Sequence, residues 1–229
     1  MTARPYILLS CAMSIDGYID DTTPDRLLLS NTEDFDRVDA VRASSDAILI
    51  GATTVRRDNP RLLVNSAERR AEREACGLPA YPLKVVVTAS GDLSPDLKIW
   101  HYGGAKLVYC PDSAVMKLEE RLGELADVVA LGPTVEFGTM LDDLGRRGIR
   151  QLMVEGGGEI HTQFLTQDLA DEIHLAIAPF FVGDQSAPRF VNPGIFPSGP
   201  TNRMTLTEAR TISDIAFLRY QVHRPAPIA

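Results

Sequence analysis

Short apolar runs bounded by turn residues alternate with segments of helical period along most of the chain, the pattern of strands joined by crossover helices. The runs predict strands over residues 6–12, 47–51, 84–88, 106–110, 128–131, 151–155 and 172–178. The helical segments predict helices over 33–43, 113–125, 135–147 and 159–166. Most of these strands are continuously apolar rather than alternating, so their sheet must be covered on both faces and should run mainly parallel. Two further runs, 204–210 and 215–222, flank a short Ser213-Asp214 turn and predict an antiparallel hairpin at the sheet edge. The expected architecture is therefore α/β, a three-layer α/β/α arrangement on a mostly parallel mixed sheet that closes with the hairpin. All 229 residues are expected in one domain. The charged run 66–74, SAERRAERE, has no apolar face and reads as a solvated helix or mobile loop, while the proline- and glycine-rich stretch 190–202 reads as an irregular loop.

Composition narrows the possible partners. Hydrophobic residues make up 45% of the chain and charged residues 24%, enough apolar surface for a sizeable core and not the balance of a disordered chain. The formal net charge of −8 excludes nucleic acid or an anionic membrane as the main partner, because both require a basic face. Any anionic ligand must then be held by local groups. Cys11, Cys76 and Cys110 are widely spaced with no C-x-x-C, so neither a disulfide framework nor a zinc site is expected, and a cytoplasmic location fits best. The apolar run near the N-terminus is about seven residues, short for a signal-peptide core and far below the ~20 that span a bilayer.

Four clusters carry candidate chemistry. In Leu152-Met153-Val154-Glu155-Gly156-Gly157-Gly158-Glu159-Ile160 an apolar strand ends in an acid, three glycines and a helix start. Glycines let the backbone approach a ligand, and a helix N-terminus offers unpaired N–H groups to an anion. The G-x-G-x-x-G spacing and the Walker lysine are both absent, so neither an ordinary dinucleotide fingerprint nor a P-loop is indicated. In the second cluster the buried strand Asp46–Ile50 runs into Gly51, Thr53 and Thr54, where a short helix can begin at the sheet's carboxyl edge, and continues to the turn-forming Asp58-Asn59-Pro60. The third is Ala12-Met13-Ser14-Ile15-Asp16-Gly17, with Gly17 expected at positive φ, and the fourth is Val87-Thr88-Ala89-Ser90-Gly91.

Together and in this order these clusters resemble the pyrimidine reductases of riboflavin biosynthesis, whose fold is that of dihydrofolate reductase. The match runs through A-M-S-I-D-G, V-R-A-S-S-D-A-I-L-I-G-A-T-T-V-R-R-D-N-P-R-L, V-V-V-T-A-S-G, L-M-V-E-G-G-G and D-E-I-H-L-A-I-A-P-F-F-V-G, over roughly residues 5–185. The resemblance implies NADPH across the sheet's carboxyl edge. Gly157, Gly158, Glu159, Ile160, His161, Thr162 and Gln163 would contact the diphosphate with Gly156 beside them. Ala12, Gly51 and Thr54 would flank the nicotinamide, and Leu28 and Ser30 would lie in the adjoining loop. Ser90, or its neighbour Thr88, would meet the adenosine 2′-phosphate. Asp58 would touch both cofactor and substrate, and Arg42, Leu62 and Glu155 would complete the substrate site.

The reaction implied is reduction at C1′ of a ribosylamino-pyrimidine 5′-phosphate of the 5-amino-6-(5-phosphoribosylamino)uracil type to its ribitylamino product. Asp58 and Glu155 are the carboxyl groups expected to orient the substrate or relay a proton. A phosphorylated heterocyclic small molecule is the expected partner, together with a second copy of the chain in a homodimer. Three positions depart from the family pattern. Ser10 replaces a usual Lys or Asn, Arg26 a frequent small hydroxyl residue, and Asn65 a common basic residue that helps hold the substrate phosphate. Arg26, assisted by Arg42 and Arg61, can restore the missing charge. Alternatively, the substrate lacks the phosphate or carries another base. A same-fold reductase of another pyrimidine or pterin and a non-catalytic nucleotide-binding protein are the competing readings. H-x-E with P-C-x-x-C is absent, so no deaminase activity is expected of this chain.

Overall fold

A computed structural model describes residues 4–223. Nine strands form one sheet in the order β5-β4-β3-β2-β6-β1-β7-β9-β8. In chain order they are β1 (Tyr6–Ser14), β2 (Ala47–Gly51), β3 (Leu83–Val87), β4 (Lys106–Cys110), β5 (Asp127–Ala130), β6 (Gln151–Gly156), β7 (Glu172–Ala178), β8 (Thr205–Ile212) and β9 (Ile215–Gln221). The helices are α1 (Thr32–Ser44), α2 (Ala52–Asp58), α3 (Ala67–Ala75), α4 (Lys98–His101), α5 (Val115–Leu122), α6 (Phe137–Arg146) and α7 (Gly158–Thr166). Every pairing from β5 to β7 is parallel, whereas β9 pairs antiparallel with both β7 and β8. The mostly parallel mixed sheet and its terminal hairpin are as the hydrophobic pattern predicts.

Alternate residues of each strand project to opposite faces, and two main cores result, with a smaller cluster of Ala176, Ile212, Ile215 and Phe217 at the terminal hairpin. Leu49, Val85, Leu107 and Val154 pack with Phe137, Met140 and Leu144 of α6 and Phe164 of α7. Ile48, Ile50, Val86 and Val108 pack with Val55 of α2, Trp100 of α4 and Leu118 of α5. All five residues of β2 are buried, which is why the stretch reads as one unbroken apolar run.

The helix expected over 113–125 is regular only over Val115–Leu122, α4 was not expected, and three further elements differ from the sequence reading. Strand β1 continues to Ser14 rather than ending at 12, because its partner β7 carries the pairing on to Ser14 opposite Ala178. Helix α6 begins at Phe137, two residues later than its apolar period suggests. The charged run forms α3, capped by the Ser66 hydroxyl, which accepts from the Arg69 N–H, and it is not merely solvated. Arg73 is buried and donates to the carbonyls of Ala43, Ser45 and Pro79, and Arg69 grips Asp36 and Asp39 of α1. Residues 190–202 contain no helix or strand, and the Ser213 turn adopts φ +55°.

Candidate active site

A cleft of about 940 Å³ opens at the carboxyl ends of β1, β2, β3 and β6, where ligands of open α/β sheets bind. Of the site residues that the resemblance implies, all line this cleft except Gly156 and Thr162, which stand behind its wall. Leu28 sits on the rim with two-thirds of its surface exposed.

The triple-glycine turn joins β6 to α7. Gly156 has φ +100°, a left-handed conformation that favours glycine, and a Cβ there would lie 2.6 Å from His161 Nε2. Gly157 is the N-cap of α7 with φ −81°, so its conformation does not require glycine, although a Cβ would come within 2.9 Å of Thr54 Oγ1. A Cβ on Gly158 would overlap the Arg189 carbonyl oxygen. No side chain caps α7, which leaves its first-turn N–H groups facing the cleft without a side-chain acceptor. The Thr162 hydroxyl donates to Gly158 O at 2.6 Å and accepts from Asn192 N at 2.8 Å, so it fixes the turn from behind. These features fit a diphosphate, with room along the sheet edge for a whole dinucleotide.

His161 is 1% exposed and its Nδ1 has no partner. Burial lowers its pKa from 6.5 to about 3. The unfolded chain therefore takes up a proton below about pH 6.5 that the folded protein refuses until about pH 3. Stability from this group is full above the unfolded value and falls as pH drops, by roughly 2 kcal/mol at pH 5. His161→Leu is expected to lose that part of the decline in melting temperature between pH 7 and pH 5. An unaltered decline in the variant would assign it to other groups.

The opposite wall carries two ion pairs. Arg42 Nε and Nη2 hold both oxygens of Glu155 at 2.6 and 2.7 Å, and Nη1 donates to Leu63 O at 3.0 Å. Burial alone would depress the Arg42 pKa, but the Glu155 carboxylate outweighs it and the value is raised. Arg26 Nε stands 3.7 Å from Asp58 Oδ2 at the end of α2. Burial raises the Asp58 pKa, opposed by Arg26 and reinforced by Asp20. Asp20 itself is held ionised: burial works against it, but Arg57 and the N–H groups of Asp21 and Leu27 lower its pKa. The side chain of Thr88 is buried with its Oγ1 accepting from Gly91 N, whereas Ser90 is exposed.

The loop after α2, and a lysine that the sequence reading passed over, also shape the cleft. Asn59 and Leu62 adopt φ +42° and +52° around Pro60 and Arg61, and Lys84 anchors this loop from beneath. Lys84 is fully buried and donates to the carbonyls of Arg61, Ile99 and Tyr102; burial, then Lys106 and Arg42, lower its pKa to about 7. A lone lysine inside the apolar run Leu83–Val87 was the available signal. Residues 188–190 strap the front of the cleft, with Ile19 N bonded to Pro188 O and Phe190 N to Gly17 O. Asp16, in the third cluster, is a loop anchor that accepts from Ser14 Oγ and from the N–H groups of Val182 and Gly183.

A mostly parallel sheet with helices on both faces, and at its carboxyl edge a glycine turn suited to an anion facing paired acids and bases, defines an α/β enzyme site. The chain belongs to the RibD C-terminal domain family, whose model matches residues 5–217. It is 38% identical to the 2,5-diamino-6-ribosylamino-4(3H)-pyrimidinone 5′-phosphate reductase of Archaeoglobus fulgidus, over 81% of this chain and 85% of that protein. The protein of the same name from Methanothermobacter thermautotrophicus is 31% identical, over 96% of this chain and 99% of its own length. A pyrimidine reductase-like protein of Corynebacterium diphtheriae superimposes with a TM-score of 0.77 at 23% identity, covering 96% of this chain and 93% of that one, a likeness of fold.

Proposed function

We propose that this protein is a riboflavin-pathway oxidoreductase that uses NADPH to reduce the ribosyl group of a 2,5-diamino-6-ribosylamino-pyrimidinone 5′-phosphate, or its deaminated uracil counterpart, to the ribityl chain. The observation that carries this reading is the meeting, in one cleft, of an uncapped helix start with a half-buried Arg42–Glu155 pair and a carboxyl group of raised pKa. The names of the relatives support the diamino substrate. A single reductase domain in the cytoplasm is part of the same reading; among the described residues no helix is long and apolar enough to cross a membrane.

When bound, a reduced nicotinamide supplies hydride to C1′ of the ring-opened sugar. The first turn of α7 would hold the diphosphate and Thr54 would stand beside the nicotinamide. Arg42 and Glu155 lock one another, so that pair orients the pyrimidine rather than relaying protons. Asp58, whose pKa burial raises, would deliver the proton that accompanies reduction. The protein then needs no nucleophile of its own.

The deciding measurement is NADPH oxidation at 340 nm with freshly made diamino- and uracil-type ribosylamino-pyrimidine phosphates, dihydrofolate and a blank. Turnover of either ribosylamino compound supports the reading. Turnover of dihydrofolate alone selects a same-fold reductase of another heterocycle, and NADPH binding with no turnover selects a non-catalytic protein.

Arg26 would supply part of the charge that Asn65 lacks for the substrate phosphate while restraining Asp58. Arg26→Ala is expected to raise substrate KM about 10-fold or more. Because Arg26 lowers the Asp58 pKa, its removal should also move the alkaline limb of the kcat profile to higher pH. Unchanged KM and an unmoved limb would leave the phosphate to Arg42 and Arg61.

A homodimer is also proposed. The outermost strand β8 is exposed over most of its length, with Leu206 49% exposed, and a second copy would cover it. Light scattering should return twice the chain mass of 25.1 kDa, and a monomer mass at micromolar concentration would refute it.

A further inference from the structure

Residues 59–66, between α2 and α3, contain neither helix nor strand, yet they build one wall of the cleft. The segment alternates as a strand does: Leu62 and Val64 are buried, while the exposed Arg61 and Asn65 and the half-buried Leu63 line the cleft. Extended backbone without a neighbouring strand must find other partners for its peptide groups. Here the partners are charged side chains from three elements. Arg42 of α1 donates to Leu63 O, Arg70 of α3 donates to Val64 O and Asn65 O, and Asp39 of α1 accepts from Asn65 N and Ser66 N. Lys84 of β3 donates to Arg61 O at 2.7 Å.

Lys84 differs from the other anchors. It is 0% exposed and stands behind the wall rather than in it. Its amine also donates to Ile99 O and Tyr102 O, so it clamps the loop to α4. The same two segments are tied on either side of the amine, where Asn59 Oδ1 accepts from Lys98 N and the Arg61 guanidinium lies over the Tyr102 ring. The peptide that Lys84 holds is the one before Leu62, a non-glycine residue at φ +52°. A side chain keeps that left-handed conformation only where its surroundings impose it. An ammonium has an N–H for each of the three carbonyls, whereas a neutral amine has two.

We propose that Lys84 is a positioning residue for the reduction: its enclosed ammonium fixes the backbone at Arg61 and Leu62, and so sets substrate affinity from a place the substrate does not reach. The assignment rests on the reading of the cleft as the site of that reduction.

The charge on Lys84 is open to titration. Burial, then Lys106 and Arg42, lower its pKa to about 7. Lys106 is its register partner on β4, Ile48 is its partner on β2, and α4 and the loop present carbonyls. Of the titratable groups on those two segments, Arg61 lies over Tyr102, His101 bonds Pro95 O and Lys98 is exposed. The ammonium is present below the pKa and lost above it, so the wall should loosen as pH rises through about 7.

The test is substrate KM and kcat at pH 6 and pH 9, at saturating NADPH, for the full-length wild type, Lys84→Met and Lys84→Arg, with the ribosylamino-pyrimidine phosphate that the wild type turns over. At pH 6 Lys84→Met should raise KM about 10-fold and hold kcat within about a factor of two. At pH 9, where the wild type has lost the charge, the two KM values should converge to within about a factor of two. Lys84→Arg, which keeps its charge, should match the wild type at pH 6 and bind substrate more tightly than it at pH 9. In the wild type alone, hydrogen-exchange protection factors over residues 61–66 should fall from pH 6 to pH 9 while those of β2 hold. A Met-to-wild-type KM ratio equal at both pH values would mark a merely structural lysine and overturn the proposal. So would equal KM for wild type and Lys84→Arg at both, or, if neither variant folds, unchanged protection of the loop. A wild type that turns over neither ribosylamino compound, with loop protection still falling, would instead overturn the reading of the reaction.

Discussion

Gly157→Val is expected to abolish NADPH binding, a loss of at least 100-fold, in a protein that still folds. The φ at this position, −81°, lies outside the left-handed region, so the effect does not come from a glycine-only φ. It comes from space. A Cβ would stand 2.9 Å from Thr54 Oγ1 and 3.7 Å from Ile19 Cδ1, and the two valine methyls beyond it would crowd the approach to the first turn of α7. That turn has no side-chain cap, so nothing else would hold the diphosphate as well. Calorimetric titration of NADPH decides the matter, with the circular dichroism of the variant as the control for folding. Wild-type affinity in a folded Gly157→Val protein would remove the phosphate cradle. Gly158→Ala is a poor substitute, because its Cβ would displace the Arg189 carbonyl and loosen the strap across the cleft.

The second large effect is expected from Asp58→Asn. Loss of a positioned general acid costs typically 10²- to 10⁴-fold, and the fall should be in kcat more than in substrate KM. Asp58 is the suitable group because burial raises its pKa and Asp20, held ionised nearby by Arg57, disfavours a second negative charge. Glu155→Gln is the contrasting variant. It breaks the two-pronged grip of Arg42 and should act mainly on KM, since both oxygens of Glu155 are already occupied by the guanidinium. Steady-state kinetics of the two variants side by side would separate the roles. An Asp58→Asn enzyme with near-normal kcat would transfer the proton to water or to another group.

Legibility in the sequence followed the kind of interaction involved. Strand β2 and the glycine turn before α7 could be read directly, because burial on both faces and close backbone approach each leave a local mark: five consecutive apolar residues in one case, three glycines in the other. The positive φ of Gly17 and the Ser213 turn were legible for the same reason. The clusters at the ends of β1, β2, β3 and β6 marked where ligands would meet the sheet, since each strand carries its own punctuation.

Polar contacts inside the fold were not legible. Arg42 and Glu155 are 113 positions apart and meet because β6 inserts next to β2 and brings its end toward α1. Helix α1 buries Asp34 and Asp39, against every expectation from hydropathy, since Ser30, Arg37 and Arg69 satisfy those carboxylates from neighbouring elements. Lys84 is buried for a like reason: three backbone carbonyls, one from the loop after α2 and two from α4 and its C-cap, converge on its amine. The sequence by itself determined the elements, their mainly parallel arrangement and the edge where the site lies, because periodicity and glycine placement are local consequences of burial and backbone geometry. Which charges pair and which stay ionised were decided only by the tertiary structure, because a buried charge is tolerated through partners that the chain order does not bring near.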